Sequence, residues 1–147
     1  MPVNVKEYHR VDTLGKSPLD LVIMVYDGAI KSLNQAKEYY HHKETQKGYD
    51  ELEKTRKFMT HLYTTLDLEK GGVIAEQLRK LYVFVLTQID VIKATKDLKK
   101  IDDNIKILNN LRSGWVSLKK KGVETGGSGS KKEEDVPAGV SQFTTSA

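Results

Sequence analysis

The chain has 147 residues, contains no cysteine and carries a formal net charge of +4 at pH 7. That length supports one domain with a single hydrophobic core, and the missing cysteines exclude disulfides, thiolate zinc sites and cysteine nucleophiles while agreeing with a reducing compartment. Residues 124–147 hold two lysines against four acidic residues, so the first 123 carry about +6; those charges are interspersed instead of forming a basic stripe, which argues against nucleic acid as a partner.

No basic segment leads into an apolar one at the N-terminus, and no apolar run approaches the ~18 residues that span a bilayer. A cytoplasmic protein without membrane insertion is expected. Residues 1–16 read as an N-terminal arm: Tyr8, Val11 and Leu14 form an apolar set in a segment too polar and short to build its own core. The arm is expected to fold across the rest of the domain as a cap.

Ser17-Pro18 opens the first helix with an N-cap candidate and a proline at the first helical position, and Asp20 adds a carboxylate to the first turn. Leu19, Val22 or Ile23, Tyr26, Ile30, Leu33 and Ala36 recur at three to four residues, and Leu21, Val25 and Ala29 make a second stripe. The second segment, with Leu52, Thr55, Met59, Leu62 and Leu66, predicts a helix from about Lys47 to Leu68, stopped by Gly71-Gly72 in a left-handed cap. The third repeats the period through Ile74, Leu78, Leu81, Val85, Ile89 and Ile92, with Ala75, Tyr82 and Leu86 beside it. The fourth carries Ile101, Ile105, Leu108, Leu111, Trp115 and Leu118, with Asp102 and Asp103 near its start and Lys119-Lys120-Lys121 at its end, opposing the helix dipole.

Short connections make consecutive helices antiparallel, so the expected fold is all-α, an up-and-down four-helix bundle over residues 17–122. Composition shifts beyond it. Gly126-Gly127-Ser128-Gly129-Ser130 reads as a flexible linker within a polar tail, residues 123–147, that is either a native solvated tail or an engineered linker followed by a tethered partner peptide. Its apolar points are Val136, Val140 and Phe143, spaced like one helix face, although Pro137 and Gly139 oppose an isolated helix.

Chemistry is scarce in the pattern. A di-iron bundle needs Glu-x-x-His on two helices; Glu38-Tyr39-Tyr40-His41 supplies that spacing once, at a helix end. His61 has no carboxylate neighbour in sequence, and no phosphate loop, dinucleotide fingerprint or Gly-x-Ser-x-Gly elbow occurs. No catalytic residue, metal ligand or cofactor site is assigned. What does stand out is the double apolar surface of the first and third helices, which either completes an irregular core or forms grooves for a partner's helix.

The run Val11 to Ile30, with Leu19-Asp20-Leu21-Val22-Ile23-Met24-Val25-Tyr26-Asp27-Gly28-Ala29-Ile30 at its centre, resembles the opening of the FliS family of flagellar export chaperones. The resemblance continues through Leu66-Asp67-Leu68-Glu69-Lys70-Gly71-Gly72-Val73-Ile74-Ala75, then Leu78-x-x-Leu81-Tyr82, and Leu111-Arg112-Ser113-Gly114-Trp115, in order across about residues 8–121. Two departures stand out: Leu14-Gly15-Lys16-Ser17 replaces a tighter approach to the proline, and Gly114 replaces an acidic or alanine residue.

The resemblance implies a chaperone that binds the disordered C-terminal segment of flagellin, prevents its premature polymerisation and helps deliver it to the export apparatus. Export-gate components and a weak homodimer are further implied partners. Partner-binding candidates are Tyr8, Val11 and Leu14 in the arm, and Leu21, Met24, Tyr26, Gly28 and Ala29 on the first helix. Ala75, Leu78 and Tyr82 on the third helix and Arg112 and Trp115 on the fourth complete the set. Core is the competing assignment for each, and the preferred one for Tyr26, Leu78 and Trp115. An adaptor that binds a folded partner is the alternative function.

Overall fold

The computed structural model describes residues 17–121, so the readings for Tyr8, Val11, Leu14 and residues 123–147 lie outside the described residues. Four helices make up the described chain: α1 (Pro18–His41), α2 (Thr45–Thr64), α3 (Leu68–Thr95) and α4 (Leu98–Lys120). The first begins where the sequence places it. The Asp20 amide donates to Ser17 Oγ at 3.1 Å and the Ser17 amide donates to Asp20 Oδ2 at 3.0 Å, a reciprocal capping box that satisfies two otherwise unpaired amides.

The boundary between α2 and α3 differs from expectation. α2 ends at Thr64, where the Thr65 amide and hydroxyl both donate to the His61 carbonyl. Asp67 then starts the next helix, accepting from the Lys70 amide at 3.0 Å. Gly71 and Gly72 therefore lie inside α3 and do not stop α2. Gly72, at φ 56° and ψ −131°, breaks α3 after its opening turn. A local aspartate cap thus precedes the glycines, and the positive φ falls inside α3, seven residues beyond the Thr65 cap of α2. α4 likewise starts earlier than its apolar period, because the Asp97 carboxylate accepts from the Lys99 and Lys100 amides.

The helices close an antiparallel ring in which each packs on its sequence neighbours and α4 returns to α1. Tyr26, Leu33, Leu52, Met59, Tyr82, Ile89, Ile101 and Leu108 lie fully buried at its centre. α1 and α2 approach most closely: the Phe58 ring covers Gly28, the Tyr40 ring covers Gly48, and Ser32 Oγ meets Thr55 Oγ1 at 2.6 Å. Three ion pairs cross from α1 to α4, Asp20–Lys119, Asp27–Arg112 and Lys37–Asp102. Two more, Arg56–Asp90 and Glu53–Lys93, join α2 to α3. The α3–α4 seam is the sparsest of the four.

Candidate functional site

Side-chain chemistry in the core is structural. Tyr26 and Tyr82 share a hydroxyl–hydroxyl hydrogen bond of 2.5 Å, and the Trp115 ring lies 6.5 Å from that of Tyr26. Burial pushes the Tyr26 hydroxyl up to about 12, against the lowering effect of Tyr82 and Trp115, and raises Tyr82 as well. Both phenols stay neutral and closed to solvent. Glu38 and His41 sit exposed at the end of α1, and among the described residues no group of His, Asp or Glu is clustered to hold a metal ion. None of the described helices is long and apolar enough to cross a membrane.

The candidate residues divide by burial. Tyr26, Ala29, Ala75, Leu78 and Tyr82 are buried in the core, where they set the spacing of α1 and α3. Gly28, Arg112 and Trp115 are half-buried, with the Arg112 guanidinium engaged by Asp27. The buried Trp115 Nε1 has no hydrogen-bond partner among the described residues. Leu21 and Met24 are open to solvent, 37% and 49% exposed.

Leu21, Met24 and Gly28 follow one another at three and four residues and so share a face of α1. Phe58 of α2 borders that face over Gly28, where an added Cβ would meet Phe58 Cζ at 2.5 Å. The result is an apolar surface floored by backbone at one point. Beside its start, Asp20 is held down to about 2, first by the hydrogen bond from Lys119 and then by the Ser17 amide.

A second apolar surface lies on α3, where Val83 and Phe84 are exposed beside half-buried Leu81 and Leu86. Asp90 and Lys93 fix the flank of α3 that faces α2. Phe84, six residues before Asp90, points about 120° away around the helix, toward the α4 side. Leu68 and Val73 add exposed apolar side chains around the Gly72 break. The sequence pattern places Phe58 only as a flank of the α2 stripe and assigns no role to Val83 or Phe84. Val83 and Phe84 fall off the core stripe of α3, and two adjacent large apolar residues on the polar face of an amphipathic helix were the available signal. The two surfaces offer apolar burial beside salt-bridged rims and place no group for proton transfer or nucleophilic attack.

Residues 2–122 match the family described as flagellar protein FliS. The chain is similar to the flagellar secretion chaperone FliS of Vibrio cholerae, with 32% identity over 102 residues, covering 69% of this chain and 75% of that protein. It is also similar to the protein of that name from Salmonella typhimurium, with 26% identity over 122 residues, 80% of this chain and 90% of the relative. The Campylobacter jejuni protein of the same name is 25% identical over 100 residues, 68% of this chain and 78% of the relative.

Proposed function

Because the chain belongs to the FliS family of flagellar secretion chaperones, we propose that it is cytoplasmic and binds the disordered C-terminal segment of flagellin. In this reading it keeps that segment from polymerising and carries it to the export apparatus, whose gate components are its second partner. The observation that carries the reading is the pair of exposed apolar surfaces, Leu21 and Met24 on α1 and Val83 and Phe84 on α3, on a bundle whose core is already filled. Ordering a disordered segment costs roughly 2–5 kcal/mol or more. Each fully buried Leu, Val, Met or Phe returns about 1.5–3 kcal/mol, so a few anchors on each surface suffice without a polar site.

Residues 17–122 form the binding domain in this reading, and residues 1–16 a separate arm. Tyr8, Val11 and Leu14 shield the Leu21–Met24 surface in the free protein, because the arm joins α1 at Ser17, one turn before Leu21. They move aside when flagellin binds. Buried Tyr26, Ala29, Ala75, Leu78 and Tyr82 act on the partner by shaping α1 and α3, Leu21 and Met24 touch it, and Gly28 lets Phe58 close against α1 beside them. Arg112 and Trp115 hold α4 against α1. A weak homodimer of the free chain would use the same apolar surfaces.

The test is titration of the chain with flagellin that retains or lacks its C-terminal segment. Binding should require the segment and weaken about tenfold or more in Leu21→Ser/Met24→Ser. Equal binding to both forms of flagellin would replace the chaperone by an adaptor for a folded partner. Removing residues 1–15 should raise aggregation of the free protein and tighten binding; unchanged solubility and affinity would remove the arm from the mechanism.

A further inference from the structure

The α3–α4 seam differs from the other three in having neither a cross-seam ion pair among the described residues nor close backbone approach. One wall carries Leu81 and Phe84. Leu81 is half-buried and Phe84 stands 46% exposed at the outer rim of the seam. Beneath them Ile107, five residues before Arg112 and so about 140° around α4 from the side that Asp27 engages, closes the seam as a buried core residue. The groove is apolar and flanked by Lys80 on α3 and by Lys121 at the end of α4, both exposed.

We propose that residues 131–147 of this same chain dock in that groove, laying Val136, Val140 and Phe143 against Leu81 and Phe84. The tail leaves α4 at Lys121, directly at the open end of the seam. Tyr26 touches both Tyr82 and Trp115, which puts Tyr82 and Trp115 at one level of the bundle. From that level Lys121 lies six residues toward the tail and Phe84 two residues the other way, about 12 Å apart along the axis. A Gly/Ser-rich coil of the length between Lys121 and Val136 spans about 20 Å on average, so the tether reaches the groove without being stretched or slack.

Charge and spacing fit the same placement. Glu133-Glu134-Asp135 precede Val136 and meet the side of the groove that holds Lys80 and Lys121. Val136, Val140 and Phe143 fall at the interval that aligns with an apolar strip along one helix. A short flexible tether supplies an effective concentration near millimolar, so even a contact of millimolar affinity is about half formed.

The tail is then a built-in competitor for the α3 surface. That consequence, unlike the docking itself, rests on the proposed flagellin binding. A client must displace it, and its apparent dissociation constant rises about two- to tenfold as the open fraction falls.

The experiment compares the full chain with its Val140→Asp/Phe143→Asp variant by amide and methyl NMR, and adds a peptide of residues 131–147 to the variant. Outside the tail itself, docking predicts shift changes confined to residues 77–88 and 103–121, reversed by the peptide, with flagellin C-terminal peptide binding the variant two- to tenfold more tightly. Superimposable spectra would overturn the proposal, as would changes centred on Leu21 and Met24 or shifts that scale with protein concentration and so report a second copy. If the α3 shifts appear while neither form binds flagellin peptide, docking stands and the chaperone reading falls. If both forms bind it equally with unchanged spectra, the chaperone reading stands and docking falls.

Discussion

The hydroxyl pair of Tyr26 and Tyr82 ties α1 to α3 across the core, and its removal should show the asymmetry of buried hydrogen bonding. Tyr82→Phe leaves the Tyr26 hydroxyl buried without that partner and should cost about 1–3 kcal/mol in urea unfolding, while Tyr26→Phe/Tyr82→Phe should cost less than the single change. Alkali tests the same pair. Both hydroxyls ionise above the ordinary tyrosine value in the folded state, so their contribution is complete below about pH 10 and is lost as pH rises through the folded value. Of seven tyrosines, these two should form tyrosinate only as the bundle unfolds, read by ultraviolet absorbance alongside circular dichroism. At the acid end the sign reverses. Asp20, lowered from 3.8 to about 2, contributes above pH 4 and loses that contribution as pH falls toward 2, so Asp20→Asn should flatten the stability profile in that window. Lys119 leads this shift and the Ser17 amide adds to it; the Lys119 partnership is long-range, whereas the cap was readable from Ser17-Pro18-x-Asp20. The tyrosine pair was not, because no local pattern tells which of two core-facing phenols will meet.

Among the elements, α3 carries the instructive conflict. A pair of glycines after an apolar period reads locally as the end of a helix, and an aspartate three residues before Lys70 reads equally well as the start of one. Asp67 prevailed because Thr65 had already closed α2, leaving Gly72 to break the chain at φ 56° within α3. Gly72→Ala should therefore cost about 1–3 kcal/mol in thermal unfolding despite the better helix propensity of alanine. Its Cβ would meet nothing within 4 Å, so the penalty would come from the backbone alone. The periodicity located all four helices and their core faces, since three- to four-residue spacing is a local property. It did not separate Ala29, which is buried, from Leu21, which is exposed, on the second stripe of α1; that choice depends on where α2 and α4 stand around α1.

For the whole molecule, charge sets register. α1 presents Asp20, Asp27 and Lys37 from start to end, and antiparallel α4 answers with Lys119, Arg112 and Asp102. A slip of one turn would mismatch the ladder, so its contribution is to alignment more than to strength, given that exposed pairs contribute about 0–1 kcal/mol each. Asp27→Arg should lower stability at low salt and recover when Arg112→Asp is added, with the recovery fading in concentrated salt, as followed by chemical denaturation.

The connection from α3 to α4 is only Lys96 and Asp97, with Lys96 turned at φ 55°. It clamps one end of the sparsest seam and leaves the other end free. Such a slot behaves like a closed-end zip. A strand lying in it cannot slide out past the clamp and must be lifted from the free end, one contact after another. Departure would then follow a fixed order along the chain, each step releasing only a fraction of the binding energy, so pulling on one terminus would free a passenger far more readily than pulling on the other.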